Sequence, residues 1–196
     1  MIRGDSHDPL LLQVLPTAVE SVETPGYDCD PLGELRAMPA PGLLHKYRGR
    51  ALLTVTGACA IHCRYCFRRH FPYGDANPTN GNMQESLYYL RQHLDIHEII
   101  LSGGDPLMLS DARLQSLTEQ LAGVPQLQTL RVHTRLPIVL PERVDQGLLE
   151  WIGRQRLQIV IVVHSNHPNE IDMSVTTALQ RLRSAGVTLL NQSVLL

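Results

Sequence analysis

From Ala51 onward, short apolar runs alternate with longer stretches whose apolar residues recur every three or four positions. ALLTVT (51–56) and EIILS (98–102) read as buried strands, and LQTLRVHT (127–134) as a third. LQIVIVVHS (157–165) is an almost unbroken apolar run, the signature of a strand covered on both faces, and VTLLNQSVLL (187–196) predicts a last strand. Between them lie helical spacings: QESLYYLRQHL (84–94), 111–121 with Ser110 as N-cap, 144–155 capped by Asp145, and 170–185. The first fifty residues hold no sustained period. DPLLLQVLP has room for a turn or two of helix, and Pro25, Pro31, Pro39 and Pro41 space the rest out as an extended arm. The expected division is an N-terminal arm, 1–44, packed against a βα unit, 45–196.

Five strands alternating with four helices predict an α/β protein with a parallel sheet and right-handed crossovers. Polar residues choose between an open sheet and a barrel. Thr56, the Ser102-Gly103-Gly104-Asp105 segment, His133-Thr134-Arg135, His164 to His167 and Asn191-Gln192-Ser193 all fall at strand C-terminal ends. Hydrogen-bonding groups on five consecutive strand ends are the pattern of a βα barrel with its site on that face. An open sheet would gather them at one switch point. The sequence ends on an apolar strand with no helix behind it, so the expected barrel is partial, incomplete at its C-terminus and poorly soluble.

Composition narrows the partners. A formal charge of −2 offers no electrostatic case for nucleic acid or an anionic membrane. No apolar run reaches the roughly 18–20 residues of a membrane span, and the acidic N-terminus does not resemble a signal peptide, so a cytoplasmic location is expected. Nearly all basic residues are arginine, with Lys46 as the sole lysine.

Three of the four cysteines crowd into Cys59-Ala-Ile-His-Cys63-Arg-Tyr-Cys66. In a reducing compartment such crowding points to metal chemistry rather than disulfides. Zinc would want a fourth ligand, for which Cys29 or His62 are candidates, but zinc sites usually pair two short-spaced motifs and no second pair is present. Three thiolates on an iron–sulfur cluster leave one iron open for a ligand, and the loop follows the first strand of the βα series. A rival reading is RNA binding through Arg64, Arg68 and Arg69 among Tyr65, Phe67, Phe71 and Tyr73, although that patch is short on a slightly acidic chain.

The Cys-x3-Cys-x2-Cys spacing, with Tyr65 before the third cysteine, resembles the radical S-adenosylmethionine (SAM) superfamily. So does the Gly103-Gly104-Asp105 turn one βα unit later. More closely, GLLHKYRGRALL, CRYCFRRHFPY, LSGGDPL, TRLPIVLPERV, HSNHPNEI and LLNQSVLL are similar to the lysine 2,3-aminomutase family over about 42–196. The arm and the Cys-Phe-Arg-Arg-His run are most like the branch that forms (R)-β-lysine for modifying elongation factor P.

That resemblance implies a partial barrel of the radical SAM type and an isomerase. Its cofactors would be a [4Fe-4S] cluster on Cys59, Cys63 and Cys66, SAM and pyridoxal 5′-phosphate. A 5′-deoxyadenosyl radical would act on an amino acid held as a pyridoxal aldimine, and a flavodoxin or ferredoxin would supply the electron. By the same resemblance, Tyr65 packs near the adenine, and Ser102, Gly103, Gly104, Asp105, His164 and Gln192 line the cofactor pockets. Asp105 would take hydrogen bonds from the methionyl ammonium. Tyr47 and Arg50 approach pyridoxal phosphate, and Arg68 grips the substrate carboxylate as a planar fork. His133, Arg135, Asn166 and His167 carry no assigned role and read as polar strand-end groups. An aminomutase acting on glutamate is the alternative within the family. The pyridoxal-anchoring lysine has no counterpart, because Lys46 precedes the first strand and does not match that position.

Overall fold

The computed structural model describes residues 5–74 and 83–194, so the last two residues of the expected strand 187–196 lie outside it. Six strands form one sheet in sequential order: β1 (Leu43–Tyr47), β2 (Arg50–Thr56), β3 (Glu98–Gly103), β4 (Thr129–Thr134), β5 (Gln158–Val163) and β6 (Thr188–Asn191). All neighbours pair in parallel except β1 with β2. Sequential order with crossovers of one hand keeps the helices on one side and curls the sheet as part of a βα barrel.

The antiparallel β1 was not expected, and it raises the strand count from five to six. It begins where the arm was thought to end. Tyr47 and Arg50 pair across a two-residue turn in which Gly49 takes a φ of 81°, a conformation that glycine adopts without strain. Leu43 and Leu44 are buried, so the hairpin closes one side of the core.

Five α-helices connect or flank the strands: α1 (Met83–Gln92), α2 (Asp111–Ala122), α3 (Leu136–Val139), α4 (Gln146–Gly153) and α5 (Met173–Ser184). The side chains of Ser110, Asp145 and Asp172 accept hydrogen bonds from the third residue of α2, α4 and α5, satisfying donors that a helix start leaves free. The single turn α3 was not anticipated; it lies within TRLPIVLPERV, with Pro137 in its first turn, where proline is tolerated, and Pro141 just past its end. Apolar stripes of the helices meet the sheet through Leu87, Leu114, Leu121, Leu148, Trp151 and Leu182. Trp151 Nε1 donates to Thr118 Oγ1 at 3.2 Å, so the indole enters the core with its polar atom satisfied. β5 is buried at every position after Gln158, whereas β6, paired only with β5, is largely exposed. Among the described residues no helix is long and apolar enough to cross a membrane.

The arm makes short 3₁₀ turns at Leu11–Gln13, Ala18–Ser21 and Leu35–Ala37. It lies across the loop that leaves the C-terminal end of β2, held by polar side chains that belong to the site.

Candidate active site

The cysteine loop is fixed from three directions. From β3, Gly104 N donates to Thr56 O at 2.7 Å and Asp105 N to Ala58 O at 2.8 Å. This backbone approach leaves no room for side chains. A Cβ on Gly103, at φ 124°, would stand 2.5 Å from Thr56 O, and one on Gly104 would stand 2.3 Å from Ala58 O. From the arm, Gln13 O accepts from Arg64 N at 2.8 Å, and the Glu20 carboxylate receives Arg64 Nε and, at 3.0 Å, Arg69 Nη2. From β4, the guanidinium of Arg135 donates through Nη1 to Cys63 Sγ at 3.0 Å.

Cys59, Cys63 and Cys66 line a cavity of about 370 Å³ that runs along the concave face of the sheet. Every residue to which the resemblance gave a role lines it: Tyr65, Ser102, Gly103, Gly104, Asp105, His164 and Gln192 at its cysteine end, Arg68 beside them, and Tyr47 and Arg50. The last two are remote from the thiols, since Arg50 opens β2 and Thr56 ends it, about 20 Å along the strand. His133, Arg135 and Asn166 also line the cavity, while Cys29 and His167 do not. His167 caps the turn Pro168–Glu170 by accepting from Asn169 N at 3.1 Å.

Two expected contacts are already taken by the protein. Asp105 does not present a free carboxylate. Its Oδ1 accepts from Thr134 Oγ1 (2.6 Å) and Leu107 N (3.0 Å), and its Oδ2 from Arg135 N (2.7 Å) and Leu136 N (3.1 Å). Burial lifts its carboxyl above the usual range against the pull of those donors. The fork of Arg68 is filled as well: Nε and Nη2 hold the two oxygens of Glu34 at 2.8 and 2.7 Å, and Nη1 donates to Ser102 Oγ at 2.7 Å. With Arg64 and Arg69 on Glu20, all three arginines of the loop are paired with carboxylates of the arm, which leaves the RNA-binding reading without free cations.

The remaining polar groups form a network around Cys63. Asn166 Nδ2 donates to Tyr65 Oη at 2.6 Å and to Gln13 Oε1 at 3.0 Å, and Tyr65 is pushed up to about 12, chiefly by burial. His133 and His164 stand ring to ring with Nδ1 and Nε2 3.4 Å apart. Burial pushes both down to about 4, helped by Arg135 near His164 and by His164, Arg131 and Arg68 near His133, so the pair is neutral at pH 7.

The donor set suits an iron–sulfur cluster. Three thiols of one loop face one cavity, and a cubane gives each thiolate its own iron. All three thiols are free of disulfides. Cys59 is pushed up to about 11 by burial and by the charges of Asp105, Cys66 and Cys63, so a metal bound there would have to displace its proton. The fit to pyridoxal phosphate is partial. Tyr47 and Arg50 offer a ring and a guanidinium, but among the described residues the one amine on the cavity, Lys46 Nζ, donates to Leu32 O.

Gln13, Glu20, Glu34 and Glu170 were absent from the expected site. Glu34 had a local signal in the Asp-Pro-Leu-Gly-Glu segment and Glu170 in HSNHPNEI; Gln13 and Glu20 are joined to the site by the fold alone.

Comparison with known proteins agrees with this geometry. The sequence model of the Radical SAM superfamily matches residues 53–194. Over 196 residues the chain is 51% identical to an L-lysine 2,3-aminomutase of Escherichia coli (strain K12), covering all of this chain and 57% of that protein. It is 50% identical to the L-lysine 2,3-aminomutase of Haemophilus influenzae over 99% of this chain and 57% of the relative. A glutamate 2,3-aminomutase of Clostridioides difficile is 34% identical, with 98% and 45% covered. The chain thus spans 57% of the length of the first two relatives and 45% of the third. The matched span includes the cysteine loop and the glycine turn, and the chain belongs to the radical SAM superfamily.

Proposed function

We propose that the chain forms the cluster-binding part of an L-lysine 2,3-aminomutase, an isomerase that moves the α-amino group of lysine to the β-carbon, and that its (R)-β-lysine serves the modification of elongation factor P. One observation carries this reading: three thiols, the glycine turn and the polar ends of β3, β4 and β5 face a single cavity. The names of the relatives support the reaction class.

Cys59, Cys63 and Cys66 would hold the cluster, and the turn at Gly103 and Gly104 would border SAM bound beside it. When bound, these groups would supply reductive one-electron cleavage of the sulfonium, with a flavodoxin or ferredoxin as electron donor. The protein positions and excludes. Gly103 and Gly104 bring backbone within reach of the ligand, and Asp105 keeps that turn in place through Thr134 and the β4 end rather than touching the ligand. Tyr65 forms a wall of the cavity, held by Asn166. Neutral His133 and His164 offer hydrogen bonds without adding charge. Arg68 reads the substrate carboxylate, which must displace or share with Glu34. Pyridoxal phosphate is placed toward Tyr47 and Arg50, and no step is assigned to it.

The test is anaerobic reconstitution of the chain and its cysteine variants, followed by product analysis with the full natural protein. Cys59→Ala, Cys63→Ala and Cys66→Ala each lose iron and sulfide, and Cys29→Ala retains both. Labelled lysine yields β-lysine. Formation of β-glutamate from glutamate instead would move the reading to the other aminomutase, and a colourless protein holding zinc would end it.

A further inference from the structure

We propose that Arg135 sets the reduction potential of the cluster by donating a hydrogen bond to the thiolate of Cys63, and that Gln13 and Glu170 hold it to that task. The inference rests on the assignment of the three cysteines to a cluster and goes beyond it. Arg135 directly follows β4, and its backbone N is tied to Asp105 Oδ2, so its origin is fixed to the glycine turn. Its side chain is buried. Nη1 stands 3.0 Å from Cys63 Sγ, while Nη2 donates to Gln13 Oε1 at 2.6 Å and to Glu170 Oε1 at 3.0 Å. The guanidinium carbon lies 5.8 Å from the centroid of the Tyr65 ring. Two acceptors on one nitrogen and an aromatic face leave the fork little freedom to turn away from the sulfur.

The position matters because each ligand sulfur carries part of the charge that a reducing electron adds. A hydrogen bond to that sulfur, and a buried positive charge beside it, stabilise the reduced form more than the oxidised one. In a site shielded from water the effect is stronger than at a surface. Arg135 Nε has no partner among the described residues, so a further buried donor beside the thiols wants an acceptor, and a cluster sulfide is one. Glu170 acts in the opposite sense. It is buried and pairs with the same guanidinium, so it removes part of the positive field that the cluster would otherwise feel. Its Oε2 also accepts from Asn166 N at 3.1 Å, a bond that a glutamine oxygen could keep.

The two partners therefore predict potential shifts of opposite sign, which loss of packing would not produce. The reconstituted chain and its Arg135→Gln and Glu170→Gln variants are titrated with dithionite in the absence of SAM. The signal of the reduced cluster is followed by electron paramagnetic resonance, and iron and sulfide are counted in each sample. The expected result is an unchanged cluster content, a lower midpoint potential for Arg135→Gln and a higher one for Glu170→Gln. Equal potentials, or shifts in the same direction, overturn the proposal. Should Arg135→Gln fail to fold, Glu170→Gln decides alone, since it leaves Arg135 in place: a higher potential supports the role, and an unchanged or lower one overturns it. A wild-type chain that takes up no iron would instead refute the cysteine assignment, before any potential is compared.

Discussion

Arg68 and Glu34 face each other with two parallel hydrogen bonds, 2.8 and 2.7 Å long, and each side chain is only 7% exposed. This bidentate pair joins the arm to the cysteine loop in the cavity where a substrate carboxylate is expected to bind. Removing one member of such a pair leaves the other charge buried and alone, at a cost of about 3–5 kcal/mol. Glu34→Ala should lower unfolding stability by that order in chemical denaturation. If Arg68 is open to an external carboxylate, acetate at high millimolar concentration should raise the melting temperature of Glu34→Ala and not that of the wild type. Equal response of the two proteins would show that the fork is closed to ligands.

Asp105 calls for a different expectation. Its carboxylate serves four donors, so Asp105→Ala orphans the Arg135 amide where β4 meets α3, the Leu107 amide in the turn after the glycines and the Thr134 hydroxyl, and leaves the Leu136 amide to Thr134 Oγ1 alone. The expected loss of stability is on the order of 3 kcal/mol, and SAM affinity should fall with it as the turn loosens. Calorimetric titration beside a denaturation curve separates the cases. Weaker binding at unchanged stability would mean that the carboxylate touches the ligand after all.

The histidine pair gives a pH dependence whose sign is fixed. Both rings are pushed from 6.5 to about 4 in the folded chain. The unfolded chain therefore binds more protons between those values, and stability rises with pH across that window. The contribution is complete above about pH 6.5 and is lost as the pH falls to about 4, at most about 3 kcal/mol for each ring. Denaturation curves at pH 7.5 and 5 should differ accordingly, and His133→Gln or His164→Gln should flatten the difference. A slope unaffected by either change would place the titration elsewhere.

Lys46 is the remaining question of covalent chemistry. Its amine donates to Leu32 O on an exposed stretch, a bond it would have to give up to become a nucleophile. Incubation with pyridoxal phosphate, borohydride reduction and mass spectrometry of the digest should show no stoichiometric adduct at Lys46. A full adduct there would identify an anchoring lysine that the family resemblance does not.

The parallel part of the fold was legible because its signals are local. Ile159–Val163 is apolar at every position, and Ser110 and Asp145 announce the helices that follow them. The β1 hairpin was also written in the chain, in Leu43-Leu44 and Gly49, but it was submerged in a proline-rich context. The site was legible up to the identity of its lining and not up to its pairing. Spacing brings Gly104 and Asp105 to the cysteines, yet it does not say which way a carboxylate turns. That is settled by Thr134, 29 positions later. Gln13 reaches Arg135 across 122 positions and Asn166 across 153, and no local pattern encodes such contacts.

Those separations also order events in time. During synthesis the N-terminal residues emerge first, yet Gln13 cannot be seated until Asn166 and Glu170 have been made and β4 and β5 have paired. Closing so long a loop is slow, and it follows the nearer contacts of the βα units. The arm is therefore a late arrival on its own domain. Until it docks, Arg64, Arg68 and Arg69 lack their carboxylates, and the guanidinium beside Cys63 lacks Gln13.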